Sequence, residues 1–117
     1  CITTLVVTAQ NVNKELWGDE YIKHYDLQLG KSLSVHGDEE QVRQYAEEAS
    51  ELTIALNKWL RKHKDVTCVP SICEEVADVM IMLRQIKLMC NLKDDDINSI
   101  VSYKIKREMK RIKNEKV

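Results

Sequence analysis

The chain has 117 residues, 44% of them hydrophobic and 32% charged, with one Pro, three Gly and no Phe. That is material for one domain, and so little Pro and Gly favours a mostly helical fold over a β-sandwich or a disordered chain. A net charge of −1 leaves no global basic field, so nucleic acid is not an expected partner.

No apolar run reaches the ~18 residues of a membrane-spanning helix, so no membrane contact is expected. The start, "CITTLVVTAQ", lacks the charged region and cleavage pattern of a signal peptide. Cys1, Cys68, Cys73 and Cys90 form no CxxC, and no His stands at zinc-finger spacing. Reduced, buried thiols in a cytoplasmic protein are the expectation.

In residues 1–29, Ile2, Leu5, Val6, Ala9, Val12 and Leu16 follow helical spacing and predict a helix, although the Thr and Val content also permits a short strand. "LGKSLSVHGD", Leu29 to Asp38, reads as a loop. Asp38 is a candidate N-cap with Gln41 as its reciprocal partner. The helix it opens runs to about His63, with Val42, Tyr45, Ala46, Ala49, Leu52, Leu56, Trp59 and Leu60 as one broad apolar stripe.

"KHKDVTCVP" breaks that helix, and Pro70 is read as its stop. Ser71-Ile72-Cys73-Glu74 has the Ser-x-x-Glu form of a capping box and predicts a helix to about Asn91. In "KDDD", Asp94 or Asp95 would cap a last helix from about Ile97 to Asn114. The expected fold is all-α: a helical hairpin with flanking helices, its four-helix-bundle-like core completed by oligomerisation. Residues 1–35 form a separate N-terminal segment in this reading, and 36–117 the helical domain.

Two helices share an acidic feature. Glu48 and Glu51 stand three apart on the first, Glu75 and Asp78 on the second. Residues three apart are neighbours on a helix surface, so each pair can converge on one point. Glu75 and Asp78 share a sector with Met82, Ile86 and Met89, at the edge of a packing face. The hairpin is expected to be antiparallel, yet Glu48 and Glu51 lie mid-helix while Glu75 and Asp78 lie in first turns. Register alone does not make them meet; helix offset or a subunit interface could.

Four carboxylates at close range repel one another, and a cation relieves that repulsion. Oxygen ligands without His or Cys select a hard ion, Mg²⁺ or Mn²⁺. Such an ion suits a nucleotide phosphate chain, with water attacking phosphorus and a spare carboxylate as base. A single pair of acids one turn apart is more often a solvated face; the second pair is what favours a site.

"EEASELTIALNK" followed by "EEVADVMIML" resembles the MazG-like all-α nucleoside triphosphate pyrophosphohydrolases, of the phage-type or small bacterial kind. Their EExxE…ExxD hallmark corresponds to Glu47-Glu48-Ala49-Ser50-Glu51 and Glu75-Val76-Ala77-Asp78. Gln41 ahead of the first motif, Leu52 after it and Lys58-x-x-Arg61 fit the surrounding pattern, and the likeness covers about residues 36–112. It implies hydrolysis of a (d)NTP or a non-canonical nucleotide to the monophosphate and pyrophosphate. It implies Glu48, Glu51, Glu75 and Asp78 as catalytic Mg²⁺ ligands, with Glu47 beside them, and a homodimer or homotetramer as the active unit. A silent member of the fold, kept as an interaction or regulatory module, is the alternative.

The last helix carries the apolar stripe Ile97, Ile100, Val101, Ile105, Met109 and Ile112, with Lys104 and Glu108 inside it. Either Lys104 points into the bundle toward triphosphate oxygens, or it pairs with Glu108 at a rim. The family places basic residues on this helix, which suits Lys104 and Arg107, with Tyr103 as a hydrogen-bonding neighbour. Lys58, Arg61, Tyr103, Lys104 and Arg107 are thus the substrate-binding candidates. Trp17, Tyr21, Tyr25 and Trp59 are the aromatic surfaces open to a base, although Trp59 lies on the core stripe.

Overall fold

A computed structural model describes residues 19–115. The helix expected around Ile2 to Leu16, together with Cys1 and Trp17, lies outside them. The elements in order are α1 (Asp19–Ile22), a 3₁₀ turn (Lys23–Tyr25), α2 (Asp26–His36), α3 (Asp38–Arg61), a 3₁₀ turn (Val66–Cys68), α4 (Val69–Met89) and α5 (Asp94–Glu115). The described residues contain helices and no strand, so the fold is all-α.

The α3–α4 hairpin is the centre of the molecule, and α1 and α2 lean on α4. The seam between α3 and α4 holds the most deeply buried side chains, Met82, Gln41 and Gln85, with Cys68 at the connection. Tyr45, Ala49, Leu52 and Trp59 of the expected stripe are half-buried, but Val42, Ala46, Leu56 and Leu60 remain exposed. One partner helix covers only part of so broad a stripe.

Helix α2 replaces the loop expected from Leu29 to Asp38. Gly30 and the serines lie within the helix, which ends at Gly37; its φ of 82° is open to glycine at little cost. The helix is held from elsewhere. Leu29 lines a cleft with Met80 and Ile81 of α4, and Asp26 at its start is gripped by Arg84. The boundary expected after residue 35 therefore falls inside the last turn of α2.

Caps differ from expectation as well. At the start of α3, Asp38 makes no side-chain cap with Gln41; Gln41 Nε2 instead reaches Ser32 Oγ at 3.5 Å. Pro70 does not stop a helix but sits in the first turn of α4, where its missing N–H has no helical acceptor to lose. The capping side chain is Asp65, which accepts from Thr67 N–H at 2.9 Å and starts the 3₁₀ turn ahead of α4. Ser71 thus lies inside α4. Of the described cysteines, Cys68 is buried, while Cys73 and Cys90 are exposed, against the expectation of buried thiols.

Helix α5 begins at Asp94, three residues before the expected Ile97. Asp94 is drawn toward the body by Lys23 at 2.8 Å, Arg84 at 3.3 Å and Lys87 at 3.6 Å. Beyond that anchor the helix leaves the hairpin, and residues 98–111 are all exposed. The middle of its apolar stripe has no cover: Ile100, Val101, Ile105 and Met109 are 45–56% accessible, while Ile97 and Ile112 at its ends are half-buried. Among the described residues, no helix is long and apolar enough to cross a membrane.

Candidate metal centre in the helical hairpin

Helix α3 carries Glu48 and Glu51 one turn apart, and α4 carries Glu75 six residues after its start. The connection between the two helices is short, and the hairpin closes so that both α3 acids face Glu75. Carboxylate oxygens of Glu48, Glu51 and Glu75 all lie within 4.8 Å of one another. The convergence occurs inside one chain. Asp78 stands outside this tight group but beside Glu48, on which its charge acts directly.

Burial distinguishes the acids. Glu48 and Glu75 are half-buried, and Glu51 and Asp78 are exposed. Glu48 Oε2 and Glu75 Oε2 are sealed from solvent without a hydrogen-bond partner. Burial pushes the Glu48 carboxyl above the usual range; a hydrogen bond from Gln44 opposes this, and the charges of Asp78 and Glu51 add to the rise. A sealed carboxylate oxygen without a donor costs free energy unless something else meets it. The donor set is all oxygen, open on the Glu51 side and closed on the Glu48 side. Those properties fit a hard divalent cation that keeps part of its water shell.

The basic candidates lie elsewhere. Lys58 is exposed two helical turns beyond Glu51 on α3, and Arg61 ends that helix, exposed. Tyr103, Lys104 and Arg107 are exposed on α5. The Arg107 guanidinium stands over the Tyr103 ring at 5.8 Å, a cation–π contact. Glu108 pairs with Arg111 at 3.4 Å and not with Lys104. Within one chain, α5 does not carry these groups against the acids.

Of the aromatic candidates, Tyr21 and Tyr25 wall an apolar cleft of about 440 Å³ that α1 and α2 form with Ala77, Met80 and Ile81 of α4. Their hydroxyls share a hydrogen bond of 3.0 Å. Ala77 adjoins Asp78, so the cleft opens on the face of α4 next to the acids. Trp59 is half-buried, with the Lys64 ammonium 5.8 Å from its ring centre. Sequence reading did not single out Gln44, whose amide touches Glu48, or Gln85, which is 4% accessible with its Oε1 unpartnered. Polar residues at i−4 from Glu48 and i+7 from Asp78, on otherwise apolar faces, were the available signal.

Comparison with known proteins gives no match: no family model fits the chain, no curated protein matches its sequence, and no solved structure matches its fold.

Proposed function

We propose that this protein is a Mg²⁺-dependent pyrophosphohydrolase that converts a nucleoside triphosphate, standard or non-canonical, to the monophosphate and pyrophosphate. The observation that carries the reading is the convergence of Glu48, Glu51 and Glu75 within 4.8 Å, with two carboxylate oxygens sealed and unpartnered. The MazG-like pattern of Glu47-Glu48-x-x-Glu51 and Glu75-x-x-Asp78 supplies the reaction class.

Glu48, Glu51, Glu75 and Asp78 would hold Mg²⁺, or Mn²⁺ in its stead. When bound, such an ion neutralises phosphate charge and acidifies water. The residues' own part is to converge three carboxylates, with Asp78 beside them, and to shield one oxygen each of Glu48 and Glu75 from bulk water. A carboxylate not engaged by the cation takes the proton of the attacking water. Water adds to phosphorus, the bond between the α- and β-phosphates breaks, and pyrophosphate leaves.

Lys58, Arg61, Tyr103, Lys104 and Arg107 are proposed to meet the phosphate chain. For those on α5, exposure of the helix supports delivery across a subunit interface in a homodimer or homotetramer. The uncovered stripes on α3 and α5 support that assembly, since contiguous apolar surface marks an interface. A nucleotide-pool role in the cytoplasm accords with the reading.

A second reading is favoured by the same exposure of α5: a catalytically silent interaction module. One experiment separates the two. Pyrophosphate release is measured over a panel of dNTPs and damaged nucleotides with Mg²⁺, for the parent chain and for Glu51→Gln. Metal-dependent release lost in Glu51→Gln supports the enzyme. No release from any nucleotide leaves the module.

A further inference from the structure

We infer that Gln44 is a positioning residue for the carboxylate of Glu48, holding one oxygen so that the other is presented to the cation; the inference rests on the metal-site reading above. Gln44 Nε2 donates to Glu48 Oε1 at 2.8 Å. Both residues sit on α3 four apart, so the helix backbone sets their spacing and the hydrogen bond needs no loop to form. With Oε1 engaged, Oε2 is left sealed and unpartnered, in a residue whose carboxylate converges with those of Glu51 and Glu75.

Within that group of three, Glu48 is singular in this. Among the described residues, Glu51 and Glu75 accept no side-chain hydrogen bond, so Gln44 sets the orientation of one ligand of the three. The surroundings explain why an amide is needed. The hairpin register that brings Glu51 to Glu75 and Glu48 to Asp78 sets Gln44 level with Met82 and Gln41 level with Gln85. Met82, Gln41 and Gln85 are all buried, so the seam beyond Glu48 is closed to water. Bulk water is poorly placed to replace the lost donor.

The chemistry of the donor matters too. A Lys or Arg at position 44 would also reach Glu48, but its charge would neutralise the ligand and compete with the cation. A neutral amide orients the carboxylate and leaves its charge for the metal.

The test uses the full chain and Mn²⁺ alone as probe, followed by electron paramagnetic resonance. Gln44→Met and Gln44→Leu, which keep a side chain of similar bulk without the N–H, are compared with the parent chain and with Glu51→Gln. Both Gln44 variants are expected to bind Mn²⁺ about 10-fold more weakly and to alter the spectrum of the bound ion. Loss of the donor leaves Glu48 Oε1 unpaired as well and is expected to lower the metal-free melting temperature; the altered spectrum of the bound ion is the readout that a merely structural role would not move. Parent-like Mn²⁺ affinity and spectrum in both variants overturns the inference while leaving the metal site standing. Failure of the parent chain itself to bind Mn²⁺ overturns the metal reading and this inference with it.

Discussion

Arg84 grips Asp26 through two parallel hydrogen bonds, Nε to Oδ1 at 2.8 Å and Nη2 to Oδ2 at 2.7 Å, across 58 positions of sequence. The same guanidinium reaches Asp94 at 3.3 Å, and Asp94 also takes the Lys23 ammonium at 2.8 Å. One point on α4 thereby holds the start of α2, the turn before it and the first residue of α5. A planar guanidinium suits this role because it meets one carboxylate bidentately and still has a donor for another.

Breaking that hub is expected to lower stability and to change its acid limit. Arg84→Met should cost about 1.5–3 kcal/mol, the range for hydrogen bonds to charged groups. The Arg84 hydrogen bonds hold the Asp26 carboxyl below the usual range, and Lys23 does the same for Asp94. A carboxyl depressed in the folded state contributes stability above its unfolded value of about 3.9, and that contribution fades as pH falls through the folded value. Urea unfolding of the parent should therefore lose stability on acidification below about pH 4, with a flatter decline in Arg84→Met. Equal slopes for the two chains would show that the network adds nothing.

Glu48 has the opposite sign. Its carboxyl is pushed up by burial, with Asp78 and Glu51 adding to the rise. A carboxyl raised in the folded state binds its proton more tightly there, so folding is favoured at low pH and loses that advantage as pH rises past the unfolded value of about 4.3. Without divalent ions at neutral pH, Glu48→Gln is expected to raise the melting temperature. Mg²⁺ should raise that of the parent and leave Glu48→Gln little changed. A destabilised Glu48→Gln that still responds to Mg²⁺ would contradict this account of the acids.

The uncovered apolar stripes predict self-association. Ile105 is 56% accessible and lies mid-stripe on α5. Ile105→Glu should leave helicity by circular dichroism intact, because the side chain has no packing to lose within the chain. In light scattering after size exclusion it should shift the protein toward a monomer. A monomeric parent chain would remove the interface and with it the delivery of Lys104 by a second copy.

Kinetics test the basic candidates. Between Tyr103 and Lys113 there are six Lys or Arg against one Glu. Lys104→Ala should reduce kcat/KM about 10-fold or more, the equivalent of one charged hydrogen bond. If α5 acts across the interface, mixing Lys104→Ala with Glu51→Gln should restore part of the activity, since some sites would combine two intact halves. No recovery on mixing would place both groups in one chain's site.

The three long helices were legible because their apolar periodicity is local, although their caps were not the expected ones. Helix α2 was not, since what stabilises it is remote: Arg84 lies 58 residues from Asp26, and no window of sequence around "LGKSLSVHGD" contains it. Pro70 was misread for a related reason. A proline between two helical patterns serves equally as the stop of the first and as a first-turn residue of the second, and the Asp65–Thr67 turn decides between them.

For the candidate site, the sequence by itself determined the residue types and their spacing: Glu48 with Glu51, and Glu75 near Asp78, each pair one helical turn apart. Helical periodicity dictates that much without reference to any other part of the chain. Only the tertiary structure decided that Glu48, Glu51 and Glu75 meet within one chain, that Asp78 stands just outside them, and that Gln44 pins Glu48. These depend on how far α3 slides against α4, which is set by the early start of α4 at Val69 and by packing along the seam. Periodicity is a property of one helix, and register is a property of two.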